Sequence, residues 1–94
     1  MNIKWTSQAE DDLQSILVYI ILNNPTAAVA LVDAIVDSVE HTLSSHPNAG
    51  RKGRVEGTRE WVAHKKYVVA YRVKNDCVQV VSVMHSSRLW PDVF

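Results

Sequence analysis

Residues 67–85, YVVAYRVKNDCVQVVSVMH, decide the fold. Two runs rich in valine and tyrosine flank Lys74-Asn75-Asp76-Cys77. A short polar break between alternating runs is the mark of a β-hairpin. Tyr67, Val69, Tyr71 and Val73 fall on one face of the first strand, with Val68, Ala70 and Arg72 on the other. Strict alternation in the second strand puts Val78, Val80, Ser82 and Met84 together and Val81, Val83 and His85 opposite them. A further β-like run, Arg59 to His64, precedes the pair, so three strands form a meander.

Upstream of the meander, Ala49 to Thr58 is punctuated by glycine, rich in cations and poor in apolar residues, and is expected to be an exposed, mobile loop. Before it the period changes. Ala28, Leu31, Val32, Ile35, Val39 and Leu43 recur at helical spacing, with Asp33, Asp37 and Glu40 on the other side. Asn24 can cap this helix and Pro25 suits its first turn, while Pro47 ends it. An earlier helix carries Ala9, Leu13, Ile16, Leu17 and Ile20 on one stripe. Ser7 and Glu10 fit a capping box at its start, and Asp11 and Asp12 add negative charge at the positive end of its dipole. Asn2 to Trp5 alternates as a short half-buried strand. The expected architecture is α+β, in the order β-α-α-β-β-β, with a helical hairpin packed on a small antiparallel sheet.

Ninety-four residues, 47% hydrophobic and 21% charged, suit one globular domain spanning residues 1–94. The longest apolar stretch, Ile16 to Leu22, is far short of the ~20 residues a membrane span needs. No basic segment leads into an apolar one at the N-terminus, so the chain reads as cytoplasmic, without a membrane partner. The lone Cys77 allows neither an internal disulfide nor a cysteine metal cluster.

The net charge of zero hides an asymmetry. Residues 1–50 set one lysine against six acids, whereas residues 51–94 set nine cations against four acids. If the fold keeps the halves apart, the C-terminal half offers a basic surface to phosphate.

Signatures of nucleotide, α/β-hydrolase and zinc-protease sites are missing. His41, His46, His64 and His85 lack metal-ligand spacing, and no metal or cofactor is expected. What remains is a set of arginines and one histidine. Arg59 opens the first strand of the meander, Arg72 sits opposite Tyr71, and His85 and Arg88 follow the last strand. In an antiparallel meander these positions can converge. Such a cluster suits metal-free RNA cleavage, the arginines neutralising the scissile phosphate and the histidine moving a proton. Trp61 and Trp90 lie near these cations and can stack on bases, although core or partner contact explains them more simply.

Gly57-Thr58-Arg59-Glu60, Tyr67 to Val73, and Val83-Met84-His85-Ser86-Ser87-Arg88-Leu89-Trp90-Pro91 together resemble the RelE/ParE toxin superfamily. The Asn-Pro start and His-Pro end of the second helix and the Gly-Arg-rich loop follow the same order, so the resemblance covers nearly the whole chain. It implies the toxin of a type II toxin–antitoxin system, neutralised by a cognate antitoxin. RelE-like members cut mRNA on the ribosome, and ParE-like members poison DNA gyrase without a nuclease site. Arg59, Arg72 and His85 fall where nuclease members place functional residues, and Arg51, Lys52, Arg54 and Arg88 supply cations for RNA. The expectation is therefore a RelE-like, metal-independent endoribonuclease acting on the ribosome and mRNA, with a ParE-like gyrase inhibitor as the alternative. The tail departs from the nuclease pattern in lacking a tyrosine, and from the ParE pattern in lacking an Arg-Met-Asp run after the histidine. A degenerate toxin serving only as a binding module is a third reading.

Overall fold

The computed structural model describes residues 1–94. Strand β1 (Asn2–Trp5) leads into helices α1 (Ser7–Ile21) and α2 (Pro25–Ser45), followed by β2 (Arg51–Lys52), β3 (Arg59–His64), β4 (Tyr67–Lys74) and β5 (Cys77–His85). No helix is long and apolar enough to cross a membrane.

The five strands form one sheet in the order β1-β5-β4-β3-β2. The sheet is mixed where a purely antiparallel one was expected, because β1 pairs with β5 in parallel. A parallel neighbour needs a long connection, and here the rest of the domain supplies it. The β4–β5 turn places Asn75 and Asp76 at φ of 53° and 57°, the left-handed geometry of a two-residue hairpin.

Both helices lie on one face of the sheet. Ala9, Ile35, Val39 and Leu43 pack there against Ala63, Val69, Tyr71, Val78, Val80 and Val83. Val73, expected in this layer, is 41% exposed, since it sits near the tip of the β4–β5 hairpin. Asn24 accepts from the Ala27 N–H at 3.1 Å, with Pro25 in the first turn of α2, as the sequence indicates. The cap of α1 falls one residue earlier than Ser7. Thr6 remains extended because its N–H donates to the Val80 carbonyl, and its Oγ1 accepts from the Ala9 N–H at 3.2 Å.

Two departures from the sequence expectation position the candidate residues. First, β5 carries a bulge. Ala70 pairs with Ser82 while Tyr71 pairs with Val80, leaving Val81 as the extra residue. Val78 and Val80 therefore share the helix-covered face with Val83 and His85, and Ser82 and Met84 turn to the other side. Strict alternation had put His85 opposite Val78 and Val80. Second, the Ala49–Thr58 segment is pinned. It contains β2, Val55 and Thr58 are buried, and Thr58 Oγ1 donates to the Val55 carbonyl at 2.6 Å.

Tyr71 joins the core to this segment. Its buried hydroxyl accepts from the Gly50 N–H at 2.9 Å and donates to the Pro47 carbonyl at 2.7 Å. A Cβ on Gly50 would lie 2.6 Å from that hydroxyl, so only glycine allows the approach. Burial raises the Tyr71 pKa, while the Gly50 N–H and the Arg59 charge act in the opposite direction. Tyr71→Phe strands two backbone groups and is expected to cost about 1–3 kcal/mol. Urea unfolding measures this; a variant as stable as the parent would mean that the hydroxyl does not anchor the turn.

Candidate functional site

The sheet register assigns each candidate residue a place, and Arg59, Arg72 and His85 do not converge. Arg59 pairs with Tyr71 and shares its face, where it donates to the Gly50 carbonyl at 2.8 Å. Arg72, the next residue of β4, points to the opposite face. His85 pairs with Tyr67, and their rings meet edge to face at 5.4 Å. It lies on the Tyr71 face, four residues along β4 from the Arg59 pairing, or roughly 13 Å, and two strands across from Arg59. Without the bulge at Val81, His85 would turn to the face of Arg72. The expected juxtaposition of histidine and arginine fails on that one inserted residue.

His85 instead makes local contacts. Its Nδ1 accepts from the Ser87 N–H at 3.1 Å and lies 2.6 Å from the Ser87 hydroxyl. No group of three or more histidine, cysteine or carboxylate side chains is arranged to hold a metal.

Two of the cations expected to lie free on the basic segment are paired, while their side chains stay partly exposed. Glu60 is buried on β3, and its carboxylate takes Arg51 at 2.9 Å and Arg54 at 3.1 Å. The Arg54 backbone N–H also donates to it at 2.7 Å. Burial alone would raise the Glu60 pKa. The Arg54 side chain and backbone, then Arg51, outweigh that effect and hold the carboxyl below the usual glutamate value. The Arg54 guanidinium in turn lies 4.1 Å over the Trp90 ring, and Trp90 meets Phe94 edge to face. Lys52 stays exposed beside Arg59, and Arg88 is exposed in the tail.

The C-terminal tail thus folds back across the sheet face that the helices leave open. Between it, β5 and the start of α1 lies a cleft of about 690 Å³, within the usual range for ligand sites. Arg72 and Arg88 both line it. Trp61, by contrast, is a packing residue whose Nε1 donates to Ser38 Oγ on α2 at 3.0 Å.

Sequence reasoning missed Asp12. It was read as a helix-dipole acid, yet it is buried and accepts from Ser82 Oγ at 2.7 Å, the Val83 N–H at 2.9 Å and Gln8 at 2.8 Å. Because β1 ends opposite Val80, the Val83 N–H has no strand partner on that side, and Asp12 takes the place of one. Its spacing of three from Ala9 along α1, on the sheet-facing side, was the available signal.

The family described as the ParE toxin of the type II toxin-antitoxin system, parDE, matches residues 3–90. A candidate toxin of Sinorhizobium fredii (strain NGR234), Y4kP, is 39% identical over 93 residues, which cover 98% of this chain and 95% of the relative. A solved structure from the chromosomal ParDE toxin–antitoxin system of P. aeruginosa superposes with a TM-score of 0.81 at 28% identity, covering 90% of this chain and 95% of the other.

The depressed Glu60 carboxyl makes stability pH-dependent. Its contribution is complete above the unfolded-state glutamate pKa and is lost as pH falls through the lower folded-state value. The urea midpoint should therefore drop on acidification across and below the ordinary glutamate range, and Glu60→Gln should flatten that part of the curve. Identical acid profiles for parent and variant would show that Glu60 does not hold the segment.

Proposed function

The chain belongs to the ParE toxin family of type II toxin–antitoxin systems, and from that premise we propose that it stops growth by binding DNA gyrase, with no nuclease step of its own. The observation that carries this reading is the separation of Arg59, Arg72 and His85. Metal-free RNA cleavage needs charge stabilisation and proton transfer at one phosphate. Here the two arginines point to opposite faces, and the histidine sits at the far end of the sheet from Arg59. Arg59 holds the turn before β2, Arg51 and Arg54 hold Glu60, and Lys52 remains as a surface cation that steers the encounter with the target. The RelE-like alternative would rest on Arg88, which lines one groove with His85 and another with Arg72, and would leave Arg59 without a part.

The cognate antitoxin docks, on this reading, along the outer side of α1. Val18, Tyr19 and Leu22 line a groove there with Asp11 and Ser15. Tyr19 is 79% and Leu22 85% exposed, an apolar stripe with no partner within the chain. An amphipathic helix fits such a stripe.

Pulse-labelling during brief induction tests the mechanism, comparing the parent with the double variant Arg72→Gln/His85→Gln. DNA synthesis should fall first while translation continues, and the double variant should keep that effect. Immediate arrest of translation with mRNA cut inside codons, abolished in the double variant, would restore the nuclease reading.

A further inference from the structure

The cleft between α1, β5 and the C-terminal tail has features that the toxin reading does not use. Its floor is Val81 and Met84, the latter turned out by the bulge, and its cover is Trp90, Val93 and Phe94. Arg72 and Arg88 reach it, and neither has a carboxylate within ion-pair distance. The one acidic side chain in the wall, Asp12, already has both oxygens engaged, with Gln8 on one and Ser82 and Val83 on the other. Trp90 supplies the single buried side-chain polar atom of the molecule that lacks a hydrogen-bond partner, its indole Nε1. That nitrogen is closed off from solvent, so the Trp90 ring is held in the cover by packing and not by a hydrogen bond.

We infer that this cleft is a binding site for a small amphipathic organic anion, one with a flat apolar body and a carboxylate, sulfonate or phosphate head. The body rests on Val81, Met84 and Phe94, and the head meets Arg72 and Arg88. Two unpaired cations beside an apolar floor select this class over neutral apolar molecules, whose binding would leave both guanidiniums uncompensated. The site is also coupled to the tail. Leu89 to Phe94 make no hydrogen bond to the rest of the chain and are held by side-chain contacts, among them Trp90 on Arg54. A ligand bridging floor and cover pins the tail in place.

The test uses the full chain and two probes with the same rings, 1-anilinonaphthalene-8-sulfonate and the uncharged N-phenyl-1-naphthylamine, followed by fluorescence and by the indole N–H signals in a nitrogen–proton correlation spectrum. The sulfonate should bind one per chain, at least about tenfold more tightly than the neutral analogue, the ratio of one charge-assisted contact. Of the three indole signals, that of Trp90 should move most. Arg72→Gln/Arg88→Gln, with an otherwise unchanged spectrum, should remove the preference for the anion, and the sulfonate should slow proteolysis of the tail. Equal affinity for the two probes, an unchanged preference in the double variant, or binding abolished by Tyr19→Ser on α1 in place of the arginine changes would each overturn the assignment.

Discussion

One inserted residue in β5 sets the geometry on which the rest depends. Val81 interrupts the pairing between Ala70 and Tyr71, and everything after it in β5 changes face. The bulge is held from the sheet edge. Thr6 donates through its N–H to the Val80 carbonyl and through its hydroxyl to the Val81 carbonyl, while Asp12 takes the Val83 N–H and the Ser82 hydroxyl. The edge is thus closed without a further strand, by the start of α1. The same contacts seat the helix on the sheet and fix where His85, Ser82 and Met84 point. Fold and function are joined here, because the shift that completes the core with Val83 takes His85 away from Arg72.

A second constraint organises the opposite edge. Tyr71 reaches from the core to the turn at Pro47 and Gly50, and Arg59 closes the same turn from its own strand. That turn starts β2 and brings Arg51 and Arg54 to Glu60. A buried carboxylate is tolerable when it is fully paired, and two guanidiniums and a backbone amide satisfy this one. Arg54 then carries Trp90, so the C-terminal tail ends a chain of dependence that begins at a core tyrosine. The basic half of the molecule is accordingly less available to phosphate than its composition suggests.

The elements themselves were legible in the sequence. The meander strands and both helices lie within a residue or so of where the pattern puts them, because valine-rich alternation and the Asn24-Pro25 start are local signals. The parallel place of β1 was not legible, since strand order depends on contacts distant in sequence. Nor was the bulge: Val80-Val81-Ser82-Val83 satisfies alternation in either phase, and no glycine marks the insertion. Asp12 beside Asp11 and Glu10 reads as dipole compensation until the sheet edge above it is seen. Arg51 and Arg54 read as free cations because Glu60, six residues beyond Arg54, gives no sign that it is buried. The candidate residues were therefore legible one by one, and their separation across the sheet was not.

The proposed toxin has no assembled nuclease centre and acts on its target by binding. The most direct measurement places the purified chain with purified DNA gyrase and relaxed plasmid, and in parallel with ribosomes translating a defined mRNA. Supercoiling should be lost in the first reaction and the mRNA left intact in the second. Undiminished supercoiling together with mRNA cut on the ribosome would contradict this mechanism.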